Sequence, residues 1–143
     1  MKFRLAAIPT LLLITLFLTA CPIASPMVMK VDISPEPIVG REVTAVIQIR
    51  SVQEAPNTKL ELDASEGIQF LSDKLEFELD LPEGEWEEVR IPFTVLEEGV
   101  HLISAYAFNS YEPGSENGFG SGKTIYIQAD LKEAIVSEDV FSY

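Results

Sequence analysis

The chain has one cysteine, Cys21, one histidine, His101, and one tryptophan, Trp86, and each shortage removes a class of chemistry. A single thiol cannot close an intrachain disulfide, so stability has to come from packing. A single imidazole excludes a histidine-rich metal site and leaves any hydrolytic triad dependent on His101. No convincing amphipathic helix is present in the stretch from residue 28 to 128, and no Asp-x-Asp-x-Asp loop offers itself to calcium. Basic residues are few, 10 against 23 acidic ones, and two of the ten, Lys2 and Arg4, stand at the very start. All the acids come after Cys21, so that part of the chain has a net charge of −15. A field of that sign repels phosphate backbones and anionic headgroups, which argues against nucleic acid and against electrostatic adhesion to a bilayer. The acids are interspersed with apolar residues, as on a folded, soluble surface rather than a disordered acidic tail.

One long apolar run is present. It covers residues 5–20, follows two positive charges, and ends in small residues before Cys21, the three-part layout of an export signal. Its last four residues, Leu18-Thr19-Ala20-Cys21, resemble the lipobox of bacterial lipoproteins. The resemblance implies cleavage between Ala20 and Cys21, acylation of the Cys21 thiol, and anchoring on an extracytoplasmic membrane face. Each buried methylene contributes about 0.8 kcal/mol, so several acyl chains hold where one is marginal. An uncleaved membrane helix and an ordinary secretory signal are the alternatives. Sixteen residues with Pro9 inside fall short of the roughly 20 that span a bilayer. Pro22 stands where some lipoproteins carry an inner-membrane retention aspartate, so the resemblance leans toward an outer surface. Residues 21–27 then read as the lipidated cysteine and a short tether.

The remaining chain is punctuated into short strands. Met27–Ser34 is a strand candidate closed by Pro35 and Pro37. Val43, Ala45, Ile47 and Ile49 alternate with polar neighbours over 43–49. Pro56-Asn57 breaks the pattern before a strand at 59–63, and Gly67 turns the chain into another at 68–71. Residues 74–81 alternate strictly, with Leu75, Phe77, Leu79 and Leu81 inward and Glu76, Glu78 and Asp80 outward. The turn at Pro82-Glu83-Gly84 leads to the inward set Val89, Ile91, Phe93 and Val95, on a strand that Pro92 assigns to an edge. Residues 100–109 are apolar on both faces and read as a central strand or one whose outer face is covered, and 123–128 as the last one. This spacing predicts an all-β fold: an antiparallel β-sandwich of seven or eight strands over 28–128, preceded by a signal helix over 1–20. The tail 129–143 fits either one helical turn or a frayed edge strand.

At Val39-Gly40-Arg41-Glu42-Val43 and Glu97-Glu98-Gly99-Val100-His101 the chain resembles bacterial immunoglobulin-like modules of the cell-adhesion-related, CARDB-like kind. The resemblance implies a sandwich with an adhesive role. Antibody-type marks are absent: His101 and Ile103 stand at the positions of the corner tyrosine and the cysteine, and Trp86 follows a turn. A sandwich architecture does not by itself imply a function.

Several motifs invite a chemical reading. Residues 118–124 end in the Gly-Lys-Thr of a phosphate loop, but Asn117 stands where the first glycine belongs, and 125–127 continue with strand periodicity. A flexible hairpin connection is the better expectation. Met27 and Met29 without histidine fit packing better than copper. The acids between Glu76 and Glu88 alternate along a solvated face instead of converging on calcium. His101, beside Gly99 at a strand start, reads as a corner residue, with a His101-dependent hydrolase as the third-ranked function.

Recognition is better supported. The stretch 109–122 holds Tyr111 and Phe119 among Ser, Gly and Asn, a composition like that of binding loops. If His101, Ile103, Ala105 and Ala107 face inward, then Leu102, Tyr106 and Phe108 face outward, and Tyr126 joins them; the opposite registration puts Leu102 and Phe108 in the core, and the sequence does not choose between the two. The expected partner-binding residues are therefore Tyr111, Phe119, Tyr106 and Tyr126. The expected function is a lipid-anchored, non-enzymatic domain, without cofactor, that binds an envelope protein or glycan. The alternative is a structural or assembly subunit of an envelope complex that docks through its tail.

Overall fold

The computed structural model describes residues 25–131 and 134–142; the expected signal helix, Ala20 and Cys21 lie outside them. Among the described residues nine strands follow one another: β1 (Met27–Ser34), β2 (Glu42–Ser51), β3 (Ala55–Ala64), β4 (Ile68–Phe70), β5 (Glu76–Leu81), β6 (Trp86–Val95), β7 (Gly99–Ser110), β8 (Gly118–Ala129) and β9 (Ala134–Ser142). They form two antiparallel sheets, ordered β1-β2-β6-β4 and β5-β3-β7-β8-β9. The first sheet and the β3-β7-β8 part of the second reproduce the ABED and CFG sheets of an immunoglobulin-like sandwich. β5 is added outside β3, and β9 outside β8.

Alternation explains why these segments pair as they do. Val43, Ala45, Ile47 and Ile49 of β2 and Val89, Ile91, Phe93 and Val95 of β6 are all buried. They face Leu60 and Leu62 of β3, Ile103, Ala105 and Ala107 of β7, and Ile125 and Ile127 of β8, which close one continuous core. Each large aliphatic side chain there contributes roughly 1.5–3 kcal/mol. A one-residue slip would carry a whole strand's apolar set into water, so the register is fixed. Met27 and Met29 belong to this core as well.

Three expectations change. Pro92 does not mark an edge strand, because β6 lies between β2 and β4. The N–H and C=O of one strand residue point the same way, and the Pro92 carbonyl accepts the Leu71 N–H at 2.9 Å on the β4 side. The missing donor thus falls where β4, ending at Phe70, has stopped. Pro56-Asn57 does not break a strand either: it forms a bulge within β3, where the register against β5 shifts between Ala55 and Thr58. Asn57 there adopts a φ of 55°, a region that asparagine tolerates better than most residues.

The third change concerns the end of the chain. Residues 118–124 are neither a phosphate loop nor a hairpin connection but the first half of β8, paired from Ser110↔Gly118 to Ser104↔Thr124. Glycine has little strand preference of its own, so pairing with β7 supplies the extended backbone. Residues 123–128 are therefore not the last strand. β9 follows and pairs with β8 from Ala129↔Ala134 to Ser121↔Ser142, so of the two readings of the tail the edge strand is the one found.

Candidate functional site

On β7, His101, Ile103, Ala105, Ala107 and Asn109 point into the core, while Leu102 and Tyr106 are exposed and Phe108 half-exposed on the opposite face. That face is built of cross-strand rows. Glu78 of β5, Lys59 of β3, Phe108 of β7 and Gly120 of β8 form one; Glu76, Glu61, Tyr106 and Gly122 form the next. The Tyr106 and Phe108 rings are nearly parallel, 11° apart in plane with centroids 6.4 Å apart. A β-carbon on Gly118 would run into the Asn109 carbonyl and come within 2.7 Å of Phe108 Cζ, so glycine there lets the backbone of β7 and the ring approach together.

The connection between β7 and β8 spans 111–117, shorter than the 109–122 stretch that composition suggests. Tyr111 N–H donates to the Asn117 carbonyl at 3.0 Å and closes it, and Ser115 N–H donates to the Glu112 carbonyl. Gly114, at φ 81°, sits in the left-handed region inside this turn. Tyr111 is 66% exposed. Phe119, expected in the loop, is instead an inward residue of β8 and only 3% exposed, because it falls on the same face of the strand as Ile125 and Ile127 and points at the core. The two rings still meet, with centroids 5.7 Å apart. Phe119 thus supports Tyr111 from beneath and offers almost no surface to a partner.

One buried amide holds the floor and the loop together. Asn109 Nδ2 donates to the Pro56 carbonyl at 2.7 Å and to Thr58 Oγ1 at 3.0 Å, which fixes the β3 bulge against the end of β7. Thr58 Oγ1 in turn donates to the Ala55 carbonyl at 2.8 Å. The bulge, the 111–117 loop and the two rows bound an open groove of about 970 Å³. Tyr106, Phe108, Tyr111 and Pro113 supply its apolar surface, and Glu54, Glu61, Glu78 and Glu116 supply charge against the single Lys59.

The groove lies at the end of the sandwich where the described chain starts. Ser25 Oγ donates to the Gly120 carbonyl at 2.6 Å, and Val52 N–H donates to the Pro26 carbonyl at 2.9 Å. Of the four expected partner-binding residues, Tyr106 and Tyr111 share this groove. Phe119 lies buried behind it. Tyr126 shares the outer face of the sheet but pairs with Leu102, four residues and about 13 Å along β8 from the Tyr106 pair. Its hydroxyl is committed to Asp139 of β9: that hydrogen bond, then the carboxylate's charge and desolvation, raise its pKa above 10.0. The glutamates and Lys59 were missed as site residues. Their outward alternation reads as a solvated face, and only strand pairing shows that they converge.

The remaining candidates have other surroundings. The His101 ring is buried, and its Nε2–H donates to the Glu97 carbonyl at 2.9 Å. Trp86 is half-buried on the other sheet, with Lys30 Nζ 4.5 Å and Arg50 Cζ 4.9 Å from its ring centroid. Among the described residues no group of three or more His, Cys, Asp or Glu side chains is arranged to hold a metal ion.

No family model and no curated protein matches the chain. Among solved structures it is similar to native alpha-2-macroglobulin from Escherichia coli, in a crystal structure running from domain MG7 to the C-terminus, with a TM-score of 0.61 and 21% identity. The match covers 75% of this chain and 17% of that one, so the chain spans less than a fifth of the longer protein. At this identity the likeness is one of fold, and it agrees with the immunoglobulin-like sandwich described above.

Proposed function

We propose that this chain is a lipid-anchored, extracytoplasmic binding domain that captures another component of a bacterial envelope through the groove between the 111–117 loop and the outer face of β3 and β7. The observation that carries the reading is the groove itself. Stacked and exposed rings from β7 and the loop line an open cleft, and a buried asparagine fixes its shape. Rigid aromatic side chains give contact area at low entropic cost, which suits recognition. The lipobox-like Leu18-Thr19-Ala20-Cys21 supplies the anchor in this reading, and binding rather than catalysis is the role.

Cross-linking in intact cells, followed by mass spectrometry, tests the proposal. Because residues 118–121 belong to β8, the loop is changed by replacing 111–117 with seven Gly and Ser residues rather than by a deletion reaching into the strand. The variant should melt as the parent does and lose its cross-linked partner. Retained capture would refute the groove. Metabolic labelling with palmitate tests the anchor, and a Cys21→Ser chain should take up none.

One observation favours a second reading, an assembly subunit that docks through its tail. β9 is the outermost strand of its sheet, and Val136, Ser137, Glu138 and Asp139 are exposed. On that reading, trimming residues 130–143 releases the chain from its complex while the loop replacement does not.

A further inference from the structure

We infer that the groove takes an extended, lysine- or arginine-bearing segment of a protein partner; the inference rests on the binding reading above and names its ligand. The four glutamates lining the groove come from separate places: Glu54 precedes β3, Glu61 is on β3, Glu78 on β5, and Glu116 in the 111–117 loop. Their convergence is a product of the topology, not the solvated face of one strand. At the groove's margin Glu61 stands directly opposite Glu76, which lies just outside the lining, in the β3–β5 pairing. Like charges facing each other across a strand pair destabilise it, and a ligand cation set between them removes that cost.

The rings select the same chemistry. The Tyr106 and Phe108 faces and the exposed Tyr111 present π-surface to a guanidinium or ammonium group. Carboxylates at the groove wall hold the same group through charge-assisted hydrogen bonds. A neutral sugar would use the rings and leave the four carboxylates idle, and an anionic polymer would be repelled by them. Position narrows the partner further. The groove is at the end where the chain enters β1, and the six residue-to-residue steps from Cys21 to Met27 reach about 20 Å at most. With Cys21 acylated, the segment held in the groove is one that lies close to the membrane surface.

Fluorescence anisotropy on the full chain in detergent micelles tests the assignment. The probe is a labelled nine-residue peptide of alternating Arg and Ser, with a Glu-for-Arg peptide and a chitin tetrasaccharide as comparisons. The Arg peptide should bind and the other two should not. Binding should weaken as added salt shortens the Debye length from about 10 Å to about 3 Å. The pair Glu61→Gln and Glu116→Gln should weaken it about tenfold, as should Tyr106→Ala, with melting retained. Glu98→Gln, in the turn at the opposite end, should leave it unchanged. Binding of the tetrasaccharide instead of the Arg peptide, or Arg-peptide binding indifferent to the glutamate substitutions, overturns the inference. If cellular capture still depends on the 111–117 loop in that case, the groove reading stands and only its ligand is wrong; if capture ignores the loop, both fail.

Discussion

The imidazole of His101 occupies the space that a side chain on Gly67 would need: a β-carbon built there runs into ring atoms Cε1 and Nδ1. The ring is held in place by its Nε2–H bond to the Glu97 carbonyl, so the turn before β4 and the turn before β7 are locked through one side chain. Gly67→Ala should therefore lower stability by about 2–3 kcal/mol through overpacking. Adding His101→Ala should give back part of that loss. Urea denaturation of the two single variants and the double variant measures it, and the coupling should exceed about 0.5 kcal/mol.

Asn109→Asp tests the link between the β3 bulge and the groove. The substitution keeps the shape but replaces a donor to Pro56 O and Thr58 Oγ1 with an acceptor. A carboxylate aimed at a carbonyl in a site 7% exposed should cost about 2–4 kcal/mol at neutral pH. Protonation restores one donor, so the deficit should narrow in acid, as thermal melts at pH 7 and pH 4 would record.

Lys123 is an inward residue of β8, and its ammonium lies 2.7 Å from Glu138 of β9, with side-chain exposures of 7% and 52%. Removing the anion with Glu138→Gln should cost about 1–2 kcal/mol, less than a fully buried pair because Glu138 is half in water. Replacing the lysine as well, with Lys123→Met, should recover most of the loss. Amide exchange in β9 should speed up in the first variant and slow again in the second.

The Tyr126–Asp139 hydrogen bond gives an alkaline prediction. It raises the tyrosine pKa above 10.0 in the folded chain, so the neutral phenol is favoured by folding. That contribution is complete below pH 10.0 and is lost as pH rises through the raised value. Stability should fall above pH 10.0 in the parent, and this part of the fall should be missing in Tyr126→Phe. Denaturation midpoints at pH 8 and pH 11 compare the two. An identical alkaline fall in both would show that Asp139 does not act on this phenol.

Much of the fold can be read from alternation wherever one face of a strand is buried and the other wet. Val43 to Ile49, Leu75 to Leu81 and Val89 to Val95 each announce their strand in this way. Gly118, Gly120 and Gly122 announce nothing, because a residue without a side chain cannot alternate. Their strand character comes from β7, so a glycine-rich segment is mistaken for a loop and Phe119 for a loop residue. The groove was half legible. Tyr106 and Tyr111 stand out as aromatics in exposed sequence, but the meeting of Glu61, Glu78 and Tyr106 depends on the order β5-β3-β7. Pairing between residues as far apart in sequence as Glu61 and Tyr106, or Lys59 and Phe108, leaves no mark in a local pattern. Pro92 shows the same limit in reverse: the rule about its missing donor holds, but where that donor would have pointed is decided by the short length of β4.

β5 ends its sheet, and every second residue along it is acidic: Glu76, Glu78 and Asp80. A second molecule approaching this flank side by side brings the same row of negative charge to meet it, which opposes zippering of backbone to backbone. Many copies can therefore share a small volume without polymerising along that rim.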